Sequence, residues 1–115
     1  MKPIIHHNEE YWGVAESIIL DGGSGLCKLS YYDDEPTAVW LYGVSVIPEK
    51  RGQGIGQELL NISISRAKDS NRHYLYLSVN PEAWQKEWYI RNGFEIMGPS
   101  DDWKYIVLRK NLRDE

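Results

Sequence analysis

The first half of the chain carries three apolar runs whose patterns predict β-strands. They cover residues 11–20, 26–32 and 38–47, and the turn sequences DGGSG and DDEPT separate them. The second run alternates between apolar and polar positions, whereas the third is apolar at nearly every position, as in a strand covered on both faces. Because the connections are short, we expect the three strands to form an antiparallel meander.

From residue 54 onwards, the apolar positions follow a helical period. Ile55, Leu59 and Ile62 fall on one stripe of a helix that extends to about residue 69. The segment ISIS within it alternates like a strand, and that alternative stays open from the pattern alone. We predict a helix because charged residues occupy its solvent-facing positions.

The last third of the chain predicts three strands and a second helix. The elements are a strand at 73–79, a helix to about residue 91, and strands at 94–98 and 103–110. Asn80 is the expected N-cap of that helix, Pro81 its first residue, and Asn-Gly at 92–93 its C-terminal signal. The predicted order is β-β-β-α-β-α-β-β, an α/β (α+β) domain with a mixed, mostly antiparallel sheet. The strands on either side of the first helix are expected to be parallel neighbours with a right-handed crossover.

Composition narrows the class of protein. The 115 residues suit a single domain spanning 1–115, and a net charge of −4 argues against nucleic acid as a partner. The single cysteine, Cys27, cannot form an internal disulfide and fits a reducing compartment. No apolar stretch approaches the roughly 20 residues of a membrane span. We therefore expect a cytoplasmic protein with no membrane partner. Five Trp and eight Tyr beside one Phe indicate a cleft or a subunit contact lined by rings that carry a polar atom.

Three glycines at the start of the first predicted helix indicate an anion site. Gly52, Gly54 and Gly56 follow Arg51 directly after an apolar strand. The first amides of a helix have no intrahelical partner and carry partial positive charge, so a turn without side chains lets a phosphate reach them. A tight turn alone would need only one or two glycines. The groups expected to bind the phosphate belong to Arg51, Gly52, Gln53, Gly54, Ile55, Gly56 and Gln57.

The two commonest phosphate-binding loops do not fit this spacing. A Walker loop ends in Gly-Lys-Ser/Thr, whereas Gln57 and Glu58 follow the last glycine here. A dinucleotide fingerprint needs G-x-G-x-x-G, and in GQGIGQ the third glycine comes one place early. Both common phosphate-binding loops therefore fail on spacing.

The stretch VIPEKRGQGIGQELL resembles the acyl-CoA-binding motif of the GNAT superfamily of N-acetyltransferases. In that motif, R/Q-x-x-G-x-G/A follows an apolar strand and enters a helix, and Arg51, Gly54 and Gly56 fill its positions. Downstream, WYIRNGFEIMG resembles the second signature of the family, with Tyr89 shortly before Gly-Phe at 93–94. The resemblance covers about residues 13–112, nearly the whole chain.

The resemblance implies an acyl-CoA-dependent N-acyltransferase. It would pass acetyl from acetyl-CoA to a primary amine of a small molecule or a peptide by direct attack, with no metal. In such proteins the strands that flank the loop and its helix splay apart, and the pantetheine arm pairs with backbone groups, here those of Val44 and Val46. Tyr89 is the expected general acid for the departing thiolate. Asn80 resembles a cofactor contact of the family, although its N-cap role explains it equally well.

The chain departs from the family pattern in two ways. The family often places a carboxylate eight residues before the motif proline, where it takes the proton of the amine, and here that residue is Trp40. The base is therefore unknown: Glu16, His6, His7 or water could take the proton, and Glu49 is expected to face solvent. Only about ten residues precede the first predicted strand, so we expect a fold that lacks the usual N-terminal strand and helices. Either the acceptor cleft is then wide open, or a second subunit, in a homodimer, closes it.

Two other functions remain open from the sequence. A domain that binds coenzyme A without turnover would account for the absent base and the absent helices. A site for a nucleotide phosphate would account for the glycine loop alone. An intact Tyr89 argues against the first of these, the domain that binds without turnover.

Overall fold

The computed structural model describes residues 2–113 as seven strands and two α-helices. The strands are β1 Ile4–Glu10, β2 Gly13–Leu20, β3 Gly25–Tyr32, β4 Ala38–Val46, β5 Tyr74–Val79, β6 Glu95–Pro99 and β7 Ile106–Asn111. The helices are α1 Ile55–Asp69 and α2 Gln85–Arg91, and short 3₁₀ turns occupy Asp21–Gly23 and Pro48–Lys50. None of the helices within 2–113 is long and apolar enough to cross a membrane.

The strands form one sheet in the order β1-β2-β3-β4-β5-β7-β6. Every neighbouring pair is antiparallel except β4 and β5, which are parallel and are connected in sequence through α1. The predicted fold class, a mixed and mostly antiparallel sheet, is therefore confirmed. The helical pattern from residue 55 is confirmed too, since the ISIS segment lies inside α1.

The expectation that no strand precedes the first apolar run is wrong. Strand β1 pairs with β2 along its whole length, from Ile4 opposite Ile19 to Glu10 opposite Gly13. Its polar sequence HHNEE concealed it, because an edge strand with one neighbour needs little apolar surface. No helix lies between β1 and β2, because two turn residues, 11 and 12, join these strands directly. The observed order is therefore β-β-β-β-α-β-α-β-β.

The second helix begins four residues later than predicted. Asn80 caps a turn before the helix: its Oδ1 accepts a hydrogen bond from the Glu82 amide at 2.8 Å, and its carbonyl oxygen accepts one from the Ala83 amide at 3.0 Å. The predicted end is confirmed. Gly93 has a φ of 95°, and the Phe94 amide donates to the Tyr89 carbonyl oxygen at 3.1 Å, which closes the helix in a Schellman motif.

Both helices lie on one side of the sheet. Side chains from alternate positions of the strands pack under them in a continuous core that includes Ile18, Leu29, Val39, Leu75, Leu108, Leu59 and Tyr89. The other side, which we call the open face, carries Lys28, Trp40, Tyr42, Tyr76 and Arg109, and no helix of the described chain covers it. The expectation that both faces of β4 are covered is therefore wrong, although the aromatic rings made its sequence look continuously apolar.

Candidate functional site

The glycine loop forms the start of α1 with backbone geometry that favours glycine. Gly52 and Gly54 have φ values of 80° and 84°, and Gly54 is the N-cap. No side chain caps the helix, so its first amides lie bare. A Cβ placed on Gly54 would meet no atom within 4 Å, and one on Gly56 would meet only the Val46 side chain, at an ordinary 3.9 Å. The protein itself therefore leaves open space beside the loop.

A gap opens between the two parallel strands next to this loop. Strands β4 and β5 pair only at their first three positions, ending with Trp40 opposite Tyr76. Beyond that point β5 stays with β7, while β4 continues to Val46 beside β3. Gly43, with a φ of 63°, opens a β-bulge before the end of β4, which bends the strand. Such a divergence exposes one edge of β4 to a ligand.

The end of β4 presents backbone groups to the gap. Ile47 donates its amide hydrogen to the Ser24 carbonyl oxygen at 2.9 Å, on the β3 side. Because successive residues of a strand point their backbone groups to opposite sides, those of Val46 point into the gap. There the Nε of Arg51 donates to the Val46 carbonyl oxygen at 3.0 Å. Val44 lies in the bulge, where the ladder of hydrogen bonds is interrupted.

The loop, the gap and the second helix enclose one groove of about 560 Å³. Its lining contains nine of the predicted residues: Val44, Val46, Arg51, Gly52, Gly54, Ile55, Gly56, Gln57 and Tyr89. Gln53 and Asn80 are not part of it. The groove also contains residues that the sequence analysis missed: Ser45, Lys50, Trp84, Gln85 and Trp88. The two tryptophans, four positions apart and next to Tyr89, were a detectable signal, since such residues share one side of a helix.

Tyr89 reaches the groove from the buried side of α2. Helix α2 is fixed to α1, because the Trp88 Nε1 donates to the Gln57 Oε1 at 3.2 Å. The Tyr89 side chain is 7% exposed and packs edge-to-face on Phe94. Burial is the main cause that raises the pKa of Tyr89 to about 12, with Cys27 adding to it. No buried side-chain oxygen within residues 2–113 lacks a hydrogen-bond partner, and none of the described hydrogen bonds uses the Tyr89 hydroxyl, so this hydroxyl meets open space.

The structure separates the candidate bases from the groove. Glu16 lies under α1 in a second cavity of about 500 Å³, with His7 at its rim. It accepts two hydrogen bonds from Arg66, at 2.9 and 2.7 Å, and one from the Tyr31 hydroxyl at 3.0 Å. These contacts, that of Arg66 first, lower the pKa of Glu16 to about 2 despite its burial. Its carboxylate is thus held ionised by the fold.

The other two candidates are also remote from the groove. His6 lies on β1, at the far edge of the sheet from β4, and pairs with Ser17. Glu49 is exposed in the 3₁₀ turn before the loop, as expected, and does not line the groove. Within residues 2–113 no cluster of three or more His, Cys, Asp or Glu side chains could hold a metal ion.

Comparison with known proteins identifies the same region. A family model described as an acetyltransferase (GNAT) domain matches residues 7–96. No curated protein matches the chain in sequence. Among solved structures, the IAA acetyltransferase of Bacillus cereus is 16% identical, with a TM-score of 0.74 over 96% of this chain and 99% of that one. A GNAT-family acetyltransferase of Staphylococcus aureus is 21% identical, with a TM-score of 0.69 over 87% and 68%. The PaiA N-acetyltransferase of Thermoplasma acidophilum, in complex with coenzyme A, is 18% identical, with a TM-score of 0.69 over 84% and 59%.

Proposed function

Because the chain belongs to the GNAT acetyltransferase family, we propose that it transfers acetyl from acetyl-CoA to a primary amine by direct attack. One observation carries the proposal: a single groove contains the bare start of α1, the exposed edge of β4 and Tyr89. An acyl-CoA needs these three parts: a binding site for its diphosphate, a strand edge that pairs with its amide-bearing arm, and a hydrogen-bond donor near its sulfur.

The diphosphate of acetyl-CoA would bind at the glycine loop. The amides of the first turn of α1 supply donors and a positive end of the helix dipole. Arg51 has five N–H donors and uses one of them on Val46, so the others can bind phosphate oxygens. Lys50 lines the same groove and adds a second positive charge. The solved complex of a related fold with coenzyme A supports this choice of ligand.

The pantetheine arm would lie in the gap along β4, like an added peptide strand. The Val46 carbonyl oxygen has two lone pairs, so it can accept from an amide of the arm beside its bond to Arg51. The thioester would then reach the bulge at Gly43 and Val44. A backbone amide there would stabilise the oxyanion that forms when the amine attacks the carbonyl carbon.

Tyr89 would act on the sulfur that leaves. With a pKa of about 12, its phenol keeps its proton throughout the neutral range. A thiol is far more acidic than such a phenol, so complete proton transfer to the thiolate would be uphill. Tyr89 therefore stabilises the thiolate chiefly by donating a hydrogen bond.

The experiment compares the wild type with Tyr89→Phe. Calorimetry measures the binding of acetyl-CoA, and free-thiol release measures turnover with a panel of primary amines. We expect binding in both proteins and a loss of turnover in Tyr89→Phe. Tyr11→Phe is the matched control, because Tyr11 is exposed in the β1–β2 turn. Binding without thiol release from any amine would support a non-catalytic coenzyme A module instead. Stabilisation by ATP but not by coenzyme A would support a nucleotide site.

A further inference from the structure

The open face carries a column of aromatic rings that ends at the gap. Trp40 stacks on Tyr76 of the neighbouring strand, with ring centroids 5.0 Å apart and an interplanar angle of 21°. Trp40 also lies nearly parallel to Tyr42, at 6.4 Å and 18°. Since Trp40 and Tyr76 form the last pair between β4 and β5, Tyr42 stands where the strands have already parted.

The rings of this column are held in place by the protein. The Tyr42 and Tyr32 hydroxyls are 3.1 Å apart and hydrogen-bonded, and the Trp40 Nε1 donates to the Glu35 Oε1 at 3.2 Å. These contacts hold the rings in position, and the faces of the rings are the surface on which a ligand could stack. Tyr42 is 41% exposed, and a Cβ placed on the following Gly43 would meet no atom within 4 Å. The column thus ends in open space.

Packing between strands explains part of this column, because cross-strand aromatic pairs stabilise a sheet. Packing does not explain why the rings stand on the one face that no described helix covers, next to the gap. We propose that Trp40, Tyr42 and Tyr76 form the acceptor platform, and that the acceptor is a small arylalkylamine whose flat ring continues the stack at Tyr42. This inference rests on the proposed function.

The geometry limits the length of the acceptor. Aromatic pairs prefer offset stacking with centroids about 4.5 to 7 Å apart. Tyr42 and Val44 are two residues apart, which is at most about 7 Å along a strand and less through the bulge at Gly43. A ring stacked on Tyr42 would therefore place an amino group at the bulge through a linker of one to three carbon atoms.

The charges around Tyr42 favour an uncharged ring over a second cation. Lys28 stands directly opposite Tyr42 in the β3–β4 register, on the same face, and would repel a second ammonium group there. The acidic turn of Asp33, Asp34 and Glu35 lies at the start of β4, and the Oε1 of its Glu35 already accepts a hydrogen bond from the Trp40 Nε1 at 3.2 Å. Apolar rings near the reacting nitrogen also favour its neutral form, which is the form that attacks.

The test compares two ring amines, which differ in the flatness of the ring, with a diamine that has no ring. Thiol release is compared for 2-phenylethylamine, 2-cyclohexylethylamine and 1,5-diaminopentane, in the wild type, in Tyr42→Leu and in the control Tyr105→Leu. Tyr105 is 45% exposed and lies outside the column. We expect the wild type and Tyr105→Leu to prefer the phenyl over the cyclohexyl amine by about twofold to tenfold in kcat/KM. Tyr42→Leu should abolish this preference through KM, while its affinity for acetyl-CoA stays unchanged.

Three results would overturn the proposal: equal use of the two ring amines by the wild type, a preference that survives in Tyr42→Leu, or a preference for the diamine. If no amine releases thiol, the proposed function is rejected, but the aromatic platform is not. The platform is then tested by calorimetry of 2-phenylethylamine binding to the protein saturated with coenzyme A. Binding that Tyr42→Leu removes keeps the platform as a ligand site, and no binding rejects it.

Discussion

Replacing Glu16 by Gln tests whether its carboxylate has a structural role or a catalytic one. Glu16 is 5% exposed and connects β2 to the C-terminal half of α1 through its paired hydrogen bonds with Arg66. The variant keeps the size of the side chain and removes its charge. If the geometry is right, the substitution should weaken the fold and leave the chemistry of each folded molecule unchanged.

The shift in the pKa of Glu16 gives the size of the expected loss in folding free energy. The fall from an ordinary 4.5 to about 2 corresponds to about 3 kcal/mol of folding free energy at neutral pH. The Arg66 side chain is 36% exposed and regains water when its partner is neutral, so we expect a loss nearer 2 kcal/mol. Because the folded-state pKa lies below the unfolded one, this stabilisation is complete above pH 4.5 and disappears as the pH falls towards 2.

Urea unfolding at pH 7, 5 and 3 measures this difference, with Glu9→Gln on the exposed edge strand as the matched control. The difference in free energy of unfolding between wild type and Glu16→Gln should be full at pH 7 and clearly smaller at pH 3. A difference that does not change with pH would refute the assigned ion pair. A loss of turnover per folded molecule of more than about tenfold would make Glu16 a participant in the reaction after all.

Three further predictions concern the groove. Tyr89→Phe should lower kcat by about tenfold to a hundredfold with no change in the affinity for acetyl-CoA, and unchanged kcat would reject Tyr89 as the donor. Gly54→Ala and Gly22→Ala both force alanine into positive φ and should each lose about 1 to 2 kcal/mol of stability, but only Gly54→Ala should weaken coenzyme A binding in calorimetry. Without a protein base, kcat/KM should rise about tenfold per pH unit up to the pKa of the free amine, whereas an inflection near pH 6.5 or below would reveal a histidine or carboxylate base.

Local signals were sufficient for most of the fold. Helix α1 and the glycine end of α2 were predicted because each depends on residues close in sequence. The parallel β4–β5 pair joins distant residues and followed instead from the rule for strand–helix–strand crossovers. Strand β1 was missed because its stability comes from a neighbour, β2, and its own sequence is polar. The start of α2 was misplaced because Asn80 and Pro81 have the same preferences in an isolated turn as at a helix start.

The part of the site that consists of backbone groups could be predicted from the sequence. Nine predicted residues meet in the groove because a motif specifies the loop, its helix and the neighbouring strand together. The spacing of Trp84 and Trp88 could have revealed these two residues, whereas Lys50 could be placed in the groove only from the fold. The role of Glu16 was equally hidden, since its partner Arg66 is 50 residues away along the chain.

The residue at the position of the usual carboxylate belongs to the ring column. Trp40 occupies that position, and it lies on the open face of the sheet. A carboxylate there would lose the stacking of the Trp40 ring on Tyr76 and Tyr42. An amine that arrives on such a face loses part of its hydration, so its neutral form becomes more favourable without a base. Because Trp40→Glu would remove the central ring of the column, the substitution should not by itself speed the reaction.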